Sequence, residues 1–187
     1  MSVTPWKPSD RRELARTRVI TVYEQRFDCV DHPERSGDFT VIDCVDWVNV
    51  VAITPKGELV LIEQFRYGTA ANTLEIPGGM VDPGEDPAAA GVRELLEETG
   101  YAGGPGRVIS VMDANPAILT NRVHTVLVER AVRTAEPSLD EHEQIEVKIV
   151  ALSAVPGMIA RGEISHTVVV SGLFRALDEL GWIGPPG

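Results

Sequence analysis

Hydrophobic and polar positions alternate with a period of two through much of the chain. RVITVYEQRFDCV (18–30) and DFTVIDCVDWVNVVAI (38–53) show it first, separated by the turn-rich HPERSG. PKG (55–57) marks the next turn, ELVLIEQFRYG (58–68) the next strand, and LEIP (74–77) a short one ending at a proline and two glycines. A period of two places successive side chains on opposite faces of a sheet, and Gly, Pro and Ser clusters between such runs mark turns. Later strands are predicted at RVISVMD (107–113), RVHTVLVERAV (122–132) and IEVKIVAL (145–152), then helices over roughly 153–161 and 165–180. Many strands with few helices predict a mixed α/β sandwich and not a doubly wound sheet. Residues 1–17, polar and proline-bearing, read as a loosely held arm, and the last residues as a tail.

The clearest helix lies between Asp86 and Gly100. Asp86 suits the N-cap, Pro87 the first helical position and Gly100 the C-terminal stop. Ala88, Val92, Leu95 and Thr99 are predicted to face the core, with Glu94, Glu97 and Glu98 on the opposite side. Like charges three and four apart on a helix repel by a few tenths of a kcal/mol. A solvated acidic face is the ordinary reading of such a cluster. The other reading is a hard cation: carboxylates at this density suit Mg2+ or Mn2+, which keep positions open for substrate phosphates. Pro77-Gly78-Gly79 adds a tight turn able to bring backbone groups to the same volume.

Composition narrows the partners. The chain has 187 residues, 43% of them apolar, and a formal net charge of −11. That length suits one domain with an N-terminal extension. Such acidity argues against a nucleic-acid binder, which needs clustered Lys and Arg. It also repels anionic substrates unless a divalent cation intervenes. Cys29 and Cys44 show no CxxC pattern, and the start has no apolar leader, so both are expected as thiols in a cytoplasmic protein. No run reaches the roughly 18 apolar residues of a membrane span.

The full spacing is more specific than the glutamates alone. Gly79, Glu85, Arg93-Glu94-Leu95, Glu97-Glu98 and Gly100 fill the fixed positions of what resembles a complete Nudix box. Tyr101, where that pattern prefers an aliphatic residue, is the one departure. The resemblance implies a Nudix α/β/α sandwich with a mixed sheet, here preceded by an N-terminal antiparallel β extension. It divides the chain into an arm (1–17), a β extension (18–44) of the kind that forms homodimers, a Nudix hydrolase domain (45–182) and a tail (183–187). It also implies Glu94 and Glu98 as the main Mg2+ (or Mn2+) ligands, assisted by Glu97 and the Gly78 carbonyl. Gly79, Glu85, Arg93 and Gly100 would support the box, Glu85 and Arg93 as an ion pair.

The flanks resemble the ADP-ribose pyrophosphatase and nucleotide-sugar hydrolase branch of that family. VLIEQFRYG, LEIPGG, MIARGEISHTVVVSGLFRAL and Pro116, fifteen residues beyond Tyr101, carry this likeness across most of 45–180. In that branch the catalytic base lies in a loop like SLDEHEQIEV (138–147). Glu141 is then the first choice for the base and Glu143 for an accessory metal contact, with Asp140 and Glu146 as alternatives. Arg66, ending an apolar strand, suits bidentate phosphate contact. Asn115, Asn121, Arg122 and His124 are polar groups able to meet a sugar or phosphate, but Asn121 and Arg122 read equally as turn residues and His124 as a core histidine. Trp47 either packs in the core or stacks on a nucleobase; Trp6 lies in the arm. His32, His142 and His166 match no ligand spacing. NPAILTNRVHT departs from the Gly-Phe-acidic run of typical ADP-ribose pyrophosphatases, which raises GDP-mannose and ADP-glucose as substrates. Two other functions stand beside this one. A non-catalytic nucleotide sensor would be expected to lose box glutamates; an enzyme for (deoxy)nucleoside triphosphates would share the box but not the flanks.

Overall fold

The computed structural model describes residues 3–32, 34–141 and 143–183. His142 and most of the predicted tail lie outside them. Two compact units are present: residues up to Val45 together with Asp113–Arg122, and Asp46–Met112 together with residues from Val123 onward. Residues 113–122, inside the Nudix domain expected over 45–182, group with the N-terminal unit.

In the N-terminal unit, β1 (Trp6–Arg16), β2 (Ile20–Cys29) and β3 (Ser36–Cys44) form an antiparallel sheet in that order. The predicted arm is thus a strand: β1 pairs with β2 from Trp6↔Cys29 to Arg16↔Thr21, with register shifts after Pro8 and Glu13. Its polarity hid it, because all eleven residues are exposed and need no apolar alternation. A cross-strand cluster of Trp6, Phe27 and Phe39, with edge-on ring contacts at 6.1 and 5.8 Å, anchors the N-terminal end of β1. The segment around Pro116 adds to this unit, since Ile42 donates to the Ile118 carbonyl at 2.8 Å and Thr120 donates back to Ile42 at 3.1 Å.

The second unit runs β4 (Trp47–Ile53), β5 (Glu58–Arg66), β6 (Ala71–Glu75), β7 (Gly78–Met80), α1 (Pro87–Thr99), β8 (Tyr101–Ala102), β9 (Arg107–Asp113), β10 (Arg122–Glu129), β11 (Val132–Arg133), β12 (Ile145–Ala151), a short 3-10 turn (Leu152–Ala154), α2 (Val155–Ala160) and α3 (Thr167–Glu179). Its main sheet is ordered β12-β5-β4-β10-β9, with β6 beside β5 and β7 beside β4. β4 and β10 are parallel and β5 is antiparallel to β4, β6 and β12, so the sheet is mixed.

Alternation along β4 builds both layers. Val48, Val50 and Ala52 pack with Val126, Val128 and the α1 residues Ala90 and Leu95. Val51 faces the other way, with Leu59 and Leu61 of β5 and Val169, Leu173 and Leu177 of α3. Each fully buried Val or Leu contributes about 1.5–3 kcal/mol, so the helices are fixed to opposite faces and the unit is an α/β/α sandwich. Among the described residues no helix is long and apolar enough to cross a membrane.

α1 starts and stops as its caps dictate. Asp86 accepts from the amides of Ala88 and Ala89 at 3.0 and 3.1 Å, and Gly100 takes the left-handed conformation at φ 72°. Its buried face is rotated from the predicted one: Ala90, Gly91, Leu95, Glu98 and Thr99 are buried, whereas Ala88 and Val92 are only half-buried. Glu98 is therefore on the core side, contrary to expectation. Apolar content alone could not reveal this, since the face is set by where Gly91 lets the helix approach Val126.

Candidate active site

α1 and β7 meet through two glycines and two carboxylates. Gly78 donates its backbone N–H to Glu98 Oε2 at 2.8 Å. A Cβ on Gly79 would lie 2.4 Å from Glu94 Oε1, and one on Gly78 would lie 2.2 Å from the Val48 carbonyl oxygen. Only a residue without a side chain leaves that space to the carboxylates. Glu98 is 4% exposed. Burial pushes its carboxyl up to about 8, the charges of Glu94 and Glu143 add to this, and the Gly78 N–H opposes it. Burial also raises Glu94, against the stabilising hydrogen bond from Arg93.

Arg93 ties the cluster together. Its Nε and Nη2 reach the two oxygens of Glu85 at 3.0 and 2.9 Å, and Nη1 reaches Glu94 at 2.8 Å and Glu97 at 3.1 Å. Nη2 also donates to the Met80 carbonyl at 3.2 Å, so the guanidinium links the box loop to the helix. This hydrogen bonding holds Glu85 below the usual carboxylate range. Among the described residues no three acidic, His or Cys side chains converge as a ready ligand group. The reason is local: Arg93 draws Glu94 and Glu97 onto its own nitrogen, and Glu98 turns to Gly78. The donor set itself, three carboxylates within little more than one helical turn beside a glycine cradle, fits a hard divalent cation.

Gly78 and Gly79 also border a cavity of about 690 Å3, within the range of small-ligand sites. Trp47, Asn49 and Met80 line one part, Arg66 to Thr69 another, and Ser165 to Val168 a third. At its side lies Glu75, 2% exposed. Arg66 grips that carboxylate with Nε at 2.9 Å and Nη2 at 2.7 Å, Thr73 donates to it at 2.6 Å, and His166 Nδ1 stands 2.9 Å away. Burial alone would raise Glu75, but the hydrogen bonds from Arg66, His166 and Thr73 outweigh it and hold the group well below the usual range. The Arg66 pKa is raised in turn, first by its bond to Glu75.

The loop before β12 is fastened to α1 by Ser138, whose amide donates to the Glu97 carbonyl at 2.7 Å. Asp140 and Glu143 close a small turn, with Glu143 N–H to Asp140 O at 3.0 Å and Asp140 N–H to Glu143 Oε2 at 3.1 Å. The Glu143 charge is felt at Glu94, Glu98 and Arg66. Glu141 is exposed at the turn, and Glu146 is paired with Lys148 at 2.6 Å.

A model of the NUDIX domain matches residues 45–170. The chain belongs to the NUDIX domain family. The ADP-ribose pyrophosphatase of Bacillus subtilis (strain 168) is 33% identical over 118 residues, covering 63% of this chain and 64% of that protein. The ADP-sugar pyrophosphatase of Mus musculus is 36% identical over 87 residues, 46% of this chain and 40% of that one. The chain thus spans less than two thirds of the length of these curated relatives. A crystal structure described as an ADP compounds hydrolase shares the fold with a TM-score of 0.84 at 21% identity, over 98% of both chains.

In this Nudix domain the box residues Gly78, Gly79, Glu85, Arg93, Glu94, Glu97 and Glu98 are brought together, with Glu143 in electrostatic reach. Arg66 and Trp47 line the adjoining cavity. Asn115 and Asn121 belong to the N-terminal unit instead. Asn115 is a turn residue whose side chain accepts from Ala117 at 3.3 Å, and Asn121 is buried with neither side-chain amide atom partnered among the described residues. His124, half-buried, bonds Asp46 at 3.0 Å. The sequence reading missed Glu75 and His166. A lone glutamate inside the apolar stretch LEIP was the available signal for the first; nothing local marks the second, which comes from 91 residues away.

Proposed function

We propose that this chain is a divalent-cation-dependent pyrophosphatase of the phosphoanhydride hydrolase class, splitting a nucleoside diphosphate sugar into a nucleoside monophosphate and a sugar phosphate. ADP-ribose is the first candidate, given the activities for which the relatives are named, with ADP-glucose and GDP-mannose next. The observation that carries this reading is the pair of glycines shared between the carboxylate cluster and the cavity. It supports a cation site and an arginine-bearing ligand site lying side by side.

Glu94, Glu97, Glu98 and Glu143 would hold the cation, which supplies charge neutralisation for the diphosphate and Lewis acidity. Arg66, oriented by Glu75, keeps Nη1 for a phosphate oxygen. Glu141 orients a water and takes its proton as the oxygen attacks phosphorus. The bridging P–O bond breaks, the attacked phosphate keeps the new oxygen, and the other phosphate departs with the bridging one. Trp47 offers its ring to the nucleobase.

The test is release of nucleoside monophosphate from ADP-ribose, ADP-glucose, GDP-mannose and dGTP, with and without Mg2+. Glu98→Gln and Glu141→Gln should each lower turnover by about 10²–10⁴-fold. Cleavage of dGTP alone would overturn the substrate class. Tight nucleotide binding with no turnover would replace the enzyme with a sensor.

A further inference from the structure

Glu75 does more to the cavity than hold Arg66. An ionised carboxylate only accepts hydrogen bonds, so the 2.9 Å contact with His166 requires a proton on Nδ1. The neutral imidazole is then the Nδ1–H tautomer, and its other nitrogen carries a lone pair. Nε2 has no hydrogen-bond partner among the described residues. His166 lines the same cavity as Arg66, with its side chain 39% exposed. It also stands at the N-cap of α3 but makes no side-chain cap bond, because the ring is turned to Glu75 instead. One buried anion therefore orients two neighbours at once: the Arg66 guanidinium, through Nε and Nη2, and an imidazole whose Nε2 is an acceptor in its neutral form. The cavity's other polar lining, apart from Arg66 and Glu75, is neutral: Asn49, Tyr67, Thr69, Thr73, Ser165 and Thr167.

We infer that His166 is a specificity-determining residue, its Nε2 accepting a hydrogen bond from a hydroxyl of the sugar joined to the diphosphate. This rests on the pyrophosphatase reading for the substrate's identity, and on the cavity alone for the contact. Arg66 then takes the phosphate charge, and His166 tells a diphosphate carrying a sugar from one without it. Glu75 is the positioning residue for both. The residue that discriminates is thus supplied by the C-terminal helix, away from the box.

Two substitutions separate the contact from the scaffold. In His166→Asn the amide N–H stands where Nδ1–H does, so the bond to Glu75 is kept while nothing replaces Nε2. In His166→Gln the amide oxygen can reach the position of Nε2. Binding of ADP-ribose and of ADP is measured by calorimetry without Mg2+, and KM and kcat for ADP-ribose with Mg2+. His166→Asn should weaken ADP-ribose about five- to tenfold, as one lost hydrogen bond implies, while ADP stays within about twofold. KM should rise by the same factor with kcat within about twofold, melting should be unchanged, and His166→Gln should recover part of the loss. Equal weakening of ADP-ribose and ADP, or no weakening of either, overturns the inference. A wild type that fails to hydrolyse ADP-ribose but binds it better than His166→Asn keeps the inference and removes the pyrophosphatase reading. Hydrolysis without any difference in binding does the reverse.

Discussion

Glu98 is asked to be charged at a place that disfavours charge. Its carboxyl is buried and faces Glu94 and Glu143, and the Gly78 N–H and the more distant charge of Arg66 offset this only in part. A group raised in the folded state stabilises fully below its unfolded value, near 4.5, and loses that contribution as pH climbs through the folded value of about 8. Cation-free protein should therefore lose stability over that window, by on the order of a few kcal/mol. Glu98→Gln keeps the shape and cannot ionise. It should melt higher than wild type at pH 8 and close to it at pH 4.5, with activity lost at both; equal melting shifts at the two pH values would refute this origin. Gly79→Ala acts at the same spot from the other side. Its Cβ would meet Glu94 Oε1 at 2.4 Å, so the carboxylate must move and Mg2+-dependent turnover should fall at least tenfold, with only a modest change in melting temperature.

At the scale of elements, the β5–β6 hairpin carries local backbone strain. Ala70 sits at φ 52°, a left-handed conformation that costs a residue with a Cβ roughly 1 kcal/mol. Ala70→Gly should stabilise by about 0.5–1 kcal/mol, a rise of roughly 1–4 °C in Tm for a chain of this size, read by differential scanning calorimetry. The core strands and α1 were legible because alternation, caps and the box spacing are local signals. What escaped has long-range causes. β1 is held by pairing with β2 and by three aromatic rings, so its own residues carry no apolar pattern. The split of 38–53 into β3 and β4 falls at Val45-Asp46, inside an apolar run that hides the break. The burial of Glu98 depends on helix rotation, and the Glu75–His166 contact on α3 returning to the sheet. Such facts belong to the tertiary structure and have no period in the sequence.

For the whole molecule, the N-terminal sheet leaves apolar residues uncovered: Trp6, Leu14 and Phe39 are all more than a third exposed. An eleven-residue strand exposed along its length is an open pairing edge unless something covers it. We propose that a homodimer, as the family resemblance implies, would supply such a cover. Light scattering behind size exclusion should give about twice the 20.3 kDa chain mass; a monomer at micromolar concentration would end that proposal.

Arg93 has a bearing on the order in which this site is assembled. Its guanidinium already balances Glu85, Glu94 and Glu97 from within the chain. A newly made polypeptide thus carries its own counter-ion for the acidic helix, and folding of α1 is uncoupled from the supply of metal. Under the proposed function, loading a cation would exchange one positive partner for another on a finished scaffold. The helix would be built first and armed afterwards.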